Sequence, residues 1–336
     1  MATGSNLSAD DLFAAVGNTP LIRLTKLSKA LGRTIAGKAE FLNPGGSVKD
    51  RAAKFIIEDA ERRGLLQPGG TIVEGSAGNT GIALAMLGNA RGYRCTIVVP
   101  DDQSPEKFAL LAALGAQVRA VPAVPFGDER NYYHQARKLA ESLPGAFWAN
   151  QFNNTANRRG HYQTTGPEIW AACGDSISAF VASAGTGGTL AGVSAALKER
   201  NPNVRTVLAD PMGSALYCYV TNGSLEFEGD SIAEGIGIKR ITDNFEGALV
   251  DQAVRIDDAT MVNMAHFLAH HEGLLLGGSA ALNVAAAARV AAGFPSGSTV
   301  VTVLCDGGAR SMSRLYNAQW LAAAGLRPRA DDLSFL

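Results

Sequence analysis

Short apolar runs alternate along the chain with stretches in which apolar residues recur every three or four positions. Thr71-Ile72-Val73 is one such run, and it passes into the polar, glycine-rich segment Glu74-Gly75-Ser76-Ala77-Gly78-Asn79-Thr80-Gly81. The spacing then predicts a helix from Ile82 to about Ala90, a strand from Cys95 to Val99, a helix from Ser104 to Leu114 and a strand from Gln117 to Val121. Strands alternating with helices in this way form a parallel sheet with right-handed crossovers. The pattern restarts at Ala179-Phe180-Val181-Ala182, which leads into Gly185-Thr186-Gly187-Gly188-Thr189 and a helix carrying Leu190, Val193 and Leu197 on one face. Further strands are predicted at Val204 to Ala209 and at Thr299 to Leu304, the latter followed by Cys305-Asp306-Gly307-Gly308. Two α/β units are therefore implied, and the asparagine-rich stretch from Trp148 to Arg159 marks the boundary between them.

Composition narrows the functional classes. With 336 residues, 46% hydrophobic and 18% charged, the chain can build about two cores. A net charge of −1 gives no electrostatic reason to expect nucleic acid or an anionic membrane as partner. No apolar run approaches the roughly 18 residues of a membrane span, and Met1 to Asn6 lacks the basic-then-apolar pattern of a secretory leader, so a cytoplasmic protein is expected. Cys95, Cys173, Cys218 and Cys305 form no Cys-x-x-Cys pair and stand at no ligand spacing from a histidine. Reduced thiols and no metal site are expected.

The chemistry concentrates in three loops that follow predicted strands: Ser76 to Gly81, Gly185 to Thr189, and Asp306 to Gly308. Ligands of open parallel sheets bind at the carboxyl ends of strands, so the three can converge. Gly185-Thr186-Gly187-Gly188-Thr189 opens a helix, where unobstructed amides and two threonine hydroxyls make a phosphate cradle. It is neither the dinucleotide fingerprint nor a P-loop, since Leu190 follows and no Lys-Ser/Thr does. In Ser47-Val48-Lys49-Asp50 the Ser-x-x-acid form predicts a helix with Ser47 as N-cap, continuing through Ala53, Ile56, Ile57 and Ala60 to Gly64. Lys49 then lies in the first turn, where the helix dipole disfavours a cation and favours an amine able to attack a carbonyl. An aldehyde cofactor carrying a phosphate, such as pyridoxal 5′-phosphate, would use an activatable lysine, a phosphate cradle and a polar loop together.

The motifs "NPGGSVKDR", "EGSAGNTGIALA", "NQFNNTANRRGHYQTTGPEIW" and "GTGGTLAGVS" resemble those of the fold-type II pyridoxal-phosphate enzymes, specifically the cysteine synthase (O-acetylserine sulfhydrylase) and cystathionine β-synthase group. The likeness runs from Val16 to about Asn317, and "LADPMGSALY" with "IAEGIGIKR" is nearer to the cysteine synthase-like and cysteine desulfhydrase-like branch. The resemblance implies a tryptophan synthase β-like α/β fold: two doubly wound, three-layer α/β/α domains with the cofactor in the cleft. Residues 45–150 would form a smaller mobile domain, 12–44 with 151–325 a larger one, and 1–11 and 326–336 tails. By the same resemblance Lys49 would carry pyridoxal 5′-phosphate as its internal aldimine and later move the α-proton. Gly185, Thr186, Gly187, Gly188 and Thr189 would hold the phosphate, and Asn79 the ring 3′-oxygen. Ser76, Ala77, Gly78, Asn79 and Thr80, with Gln151, would bind the substrate carboxylate, and Gly235 to Gly237 would line the other face of the ring. The reaction implied is β-replacement on an activated serine through an aminoacrylate, with sulfide or another small nucleophile as second substrate, in a homodimer.

Two departures matter. The family usually sets a serine against the pyridine nitrogen, and Gly307 stands in that run without a side chain. One neutral hydrogen bond is worth ~0.5–1.5 kcal/mol, at most about tenfold in rate, so activity is expected to survive, with water, Cys305 or Asp306 left to take the place. Ala77 replaces a frequent serine in the substrate loop. Two alternatives stay open: a cysteine desulfhydrase releasing pyruvate, ammonia and sulfide, and a non-catalytic regulatory protein on the same scaffold.

Overall fold

The computed structural model describes residues 11–76 and 78–336. Among these residues ten strands, β1 (Leu21–Arg23), β2 (Thr34–Lys38), β3 (Thr71–Gly75), β4 (Arg94–Pro100), β5 (Gln117–Val121), β6 (Ala146–Trp148), β7 (Ile177–Ser183), β8 (Arg205–Pro211), β9 (Gln252–Ile256) and β10 (Thr299–Val303), form two sheets. The larger has the order β1-β2-β10-β7-β8-β9 and is parallel except for β1, which runs antiparallel to β2. The smaller, β5-β4-β3-β6, is parallel throughout.

Both sheets are covered on both faces, which suits the nearly continuous apolar runs of the inner strands β4, β7 and β10. Along β7, Ala179 and Val181 face one core with helices Asp258–Phe267 and Gly278–Ala291, while Phe180 and Ala182 face another with helix Gly188–Arg200. The period of two separates the faces even where every residue is apolar. The smaller sheet repeats the arrangement: Ile72 and Ile97 pack with helices Lys49–Arg62 and Asn79–Ala90, and Val73 and Val98 pack with helix Tyr132–Ser142. The architecture is two α/β/α domains: the strand–helix alternation implied two α/β units, and the resemblance implied their three layers. Phe13 and Val16 reach into the core of the smaller sheet, and Arg91 stacks over the Phe13 ring at 4.0 Å.

Two helix starts differ from the periodicity. The helix after β3 begins at Asn79 rather than Ile82, because Ser76 Oγ accepts from the Gly78 and Gly81 amides at 3.1 and 3.2 Å and organises a first turn that carries no apolar signal. Ser47 is not the N-cap of the lysine helix. That place falls to Val48, while Ser47 Oγ accepts from Lys49 N at 3.3 Å and donates to Asp50 Oδ1 at 3.4 Å. The Asp50 carboxylate reaches back past Ser47 to the amide of Gly45, so the reciprocal bond closes on the glycine turn.

Candidate active site

The polar loops at the carboxyl ends of β3, β7 and β10 meet, with the Lys49 segment, around a cavity of about 410 Å³ between the two sheets. Lys49, Ser76, Gly78, Asn79, Thr80, Gln151, Gly185, Thr186, Gly187, Thr189 and Gly235 all line it. Gly188 and Gly307 do not border it, and Ala77 lies outside the described residues. Asn283, fully buried, ties two of these loops at their roots: its side chain accepts from Ser183 N at 2.7 Å and donates to Val303 O at 2.8 Å.

Lys49 enters the cavity from a segment fixed on both sides. Val48 N donates to Cys305 O at 2.8 Å, and two residues beyond Lys49 the buried Arg51 bonds both Glu40, at 2.8 Å, and Glu168, at 2.7 Å. Burial would strip the Arg51 proton, but the Glu40 and Glu168 carboxylates hold its pKa above the ordinary value. Lys38 closes the cluster on Glu168 at 2.6 Å, giving two cations and two anions. Lys49 Nζ makes no ion pair among the described residues. Burial pushes its pKa below the usual amine value, and Cys305 and Asp306 pull the other way. The depressed amine expected from the sequence is present, with burial rather than the helix dipole as the largest cause.

The loop after β7 is a cradle whose glycines are dictated by close packing. A Cβ on Gly185 would collide with Gly235 O, one on Gly188 with the Asn157 amide, and one on Gly187 would lie 2.6 Å from Phe245 Cβ. Gly187 also has φ +85°, a left-handed value that suits glycine. The cradle is braced from behind by residues that sequence reading missed. Asn157 Nδ2 donates to Thr186 Oγ1 at 2.9 Å and to Gln151 O at 3.0 Å. His161 Nε2 lies 3.1 Å from Thr189 Oγ1 and its Nδ1 2.9 Å from Thr165 Oγ1. Burial first, then Arg51 and Lys49, depress the His161 pKa well below its ordinary value, so the imidazole is neutral. Asn157 and His161 stand four apart, a spacing that puts them on one helix face and was legible in "NTANRRGH".

In the loop after β3 the Ser76 hydroxyl is occupied by the helix start, and Thr80 Oγ1 donates to Gln151 Oε1 at 2.5 Å. Gly78 has φ +150° and ψ −95°, and a Cβ there would lie 2.7 Å from Lys107 Cδ. Phe152 lines the cavity beside Phe126 and Tyr133, and Arg240 stacks over these three rings at 4.4 to 5.1 Å. Gly307 meets no atom within 4 Å of where a Cβ would stand, so its lack of a side chain is not enforced by packing.

A family model described as "Pyridoxal-phosphate dependent enzyme" matches residues 12–306. The chain belongs to that family. Cysteine synthase 1 of Emericella nidulans is 53% identical over 321 residues, 94% of this chain and 87% of that protein. The crystal structure of O-ureido-L-serine synthase aligns at a TM-score of 0.84 with 35% identity, over 93% of this chain and 99% of that one. O-acetylserine-dependent cystathionine β-synthase of Helicobacter pylori aligns at 0.84 with 35% identity, over 92% and 98%. The family is the fold-type II cysteine synthase group, and its cofactor is pyridoxal 5′-phosphate. The residues present fit that cofactor: an amine without a counter-ion among the described residues, a cradle whose glycines leave no room for a Cβ, and a buried Asp306 whose Oδ1 has no partner.

Proposed function

We propose that this enzyme makes L-cysteine, or a related β-substituted alanine, by β-replacement on an activated L-serine of the O-acetylserine type, with sulfide or another small thiol as second substrate. The observation that carries the reading is the unpaired Lys49 amine sharing one cavity with the Gly185–Thr189 cradle. Pyridoxal 5′-phosphate, when bound, supplies an electron sink at the substrate α-carbon. Lys49 would hold the cofactor through its aldehyde and would move the proton at the substrate α-carbon. Its depressed pKa favours the neutral amine that this work needs. Gly185, Thr186, Gly187, Gly188 and Thr189 hold the phosphate with backbone N–H groups at the start of helix Gly188–Arg200. Asn79 would donate to the ring oxygen. The amides and hydroxyls of Ser76 to Thr80, with Gln151, orient the substrate carboxylate, and Gly235 covers the ring.

On this reading residues 45–150 are the domain that closes over the substrate, 12–44 and 151–325 are the larger domain, and the enzyme is a cytoplasmic homodimer. No helix among the described residues is long and apolar enough to cross a membrane. The test is one assay with two arms. O-acetylserine plus sulfide is expected to yield cysteine, and cysteine alone is expected to yield little pyruvate and sulfide. The reverse result would make the enzyme a desulfhydrase. A protein that stays colourless after cofactor is added, with neither product, would leave only a scaffold role.

A further inference from the structure

Asn79 opens helix Asn79–Ala90 on the side of the smaller sheet, yet its amide is gripped at both ends by residues that follow β10 of the larger one. Arg310 Nη1 donates to Asn79 Oδ1 at 2.6 Å, and Asn79 Nδ2 donates to Asp306 Oδ2 at 2.7 Å. The orientation is chemically forced. A guanidinium only donates and a carboxylate only accepts, so the amide cannot be turned end for end without losing both bonds.

Both grips are themselves held. Arg310 Nη2 donates to Gly45 O in the Asn43-Pro44-Gly45-Gly46 turn just before Lys49, and the amide of Gly45 is taken by Asp50. Asp306 is 8% exposed, and its backbone accepts from Gly277 N at 3.1 Å. Its carboxylate packs where Gly277 lacks a side chain, since a Cβ there would collide with Oδ1. Because each has a charged partner, the guanidinium or the carboxylate, these hydrogen bonds are stronger than neutral ones.

We propose that Arg310 and Asp306 are positioning residues that fix the Asn79 amide so that it can present N–H, and never C=O, to the cofactor ring. The inference rests on the reading above that Asn79 contacts the ring oxygen. One Nδ2 hydrogen goes to Asp306, which leaves the second for an acceptor in the cavity. Because the clamp joins residues of both sheets, it also registers the substrate loop against the segment that carries Lys49.

A double-mutant cycle on the full-length, cofactor-loaded enzyme tests this, read by the dissociation constant for pyridoxal 5′-phosphate and by the absorption spectrum of the bound cofactor. Asn79→Ala and Arg310→Met are each expected to weaken cofactor binding roughly tenfold, the scale of one lost hydrogen bond to a charged group, and to shift the visible band alike. The double variant is expected to match Asn79→Ala alone, because Arg310 acts through Asn79. Arg310→Lys, which keeps one donor and the charge, is expected to recover part of both readouts. Asp306→Leu, which removes the other grip, supplies a second cycle should Arg310→Met fail to fold. Losses that simply add in the double variant, or an Arg310→Met enzyme with wild-type affinity and spectrum, would overturn the proposal. A wild-type protein that binds no cofactor would overturn the functional reading with it.

Discussion

Lys49 is a half-buried lysine on the cavity wall whose charge no carboxylate among the described residues neutralises within ion-pairing distance, and the proposed chemistry depends on it. Replacing it by alanine removes the nucleophile and the proton carrier together. We expect Lys49→Ala to lose at least about a thousandfold in cysteine formation, in keeping with the ~10²–10⁴ typical of one acid–base group, while its thermal transition is unchanged. Peptide mapping after borohydride treatment checks the attachment, and cofactor trapped elsewhere on the chain would defeat the assignment. Glu74 makes a different prediction. It is fully buried behind Gln151, whose backbone N donates to it at 3.4 Å, and burial raises its pKa from 4.5 to about 8. The folded state therefore binds the proton more tightly than the unfolded one. Stability from this group is greatest below about pH 4.5 and is lost as pH rises towards 8. Glu74→Gln removes that slope, so its melting temperature relative to wild type is expected to rise between pH 5 and 8.5. A difference that stays flat over that range would refute the raised value.

At the scale of elements, the site is held by short segments whose sequence serves packing and chemistry at once. The helical run from Ala156 to Cys173 widens to π geometry between His161 and Thr165, just before Pro167, and His161 within it reaches Thr189 of the cradle. Gly185 is the tightest point of the cradle. Gly185→Ala is expected to cost about 1–3 kcal/mol, the usual range for overpacking, and to weaken cofactor retention more than it lowers the melting temperature. Equilibrium dialysis beside calorimetry separates the two effects. Arg51 anchors the lysine helix from below. Arg51→Met leaves Glu40, which is 0% exposed, without its main cation. Breaking a buried pair on one side costs about 3–5 kcal/mol, so denaturant titration is expected to show a loss of that size.

For the whole molecule, the question is what joins the two domains across the cavity. Three contacts cross the cleft from the segment around helix Pro105–Ala113. Glu106 accepts from Ser313 N and Oγ at 2.8 Å, Lys107 pairs with Glu234, and Glu234 pairs in turn with Arg314, which also donates to Asp102 O. Arg240 adds a cation–π contact to Phe126 and Tyr133 on the smaller-sheet side. Glu234 is the hub, since it neutralises one cation from each side. Glu234→Gln is expected to raise KM for the amino-acid substrate about three- to tenfold, on the scale of ~1 kcal/mol for a partly exposed pair, with little change in melting temperature. Steady-state kinetics and X-ray scattering check it, and an unchanged KM with unchanged dimensions would remove Glu234 from closure.

The covering of both sheet faces was implied by the family resemblance, while six strands, the two α/β units and the convergence of three loops were legible in the chain, because they depend on local periodicity and on where parallel strands end. The glycine cradle and Lys49 were legible for the same reason: each is a compact run whose chemistry is complete within a few residues. Four strands were not marked, β1, β2, β6 and β9. β1 and β6 are three residues long, β2 is broken by Gly37, and β9 carries Gln252 and Arg255 among its apolar residues, so none makes a clear apolar run. Tertiary structure alone decided that Asn79 is clamped by Asp306 and Arg310, more than two hundred residues away in sequence. It alone decided that Phe152 faces the cavity and that the Lys49 pKa falls chiefly by burial. Periodicity says which side of an element is buried but carries no record of what lies opposite, and a pairing or a desolvation exists only once distant segments have been packed together.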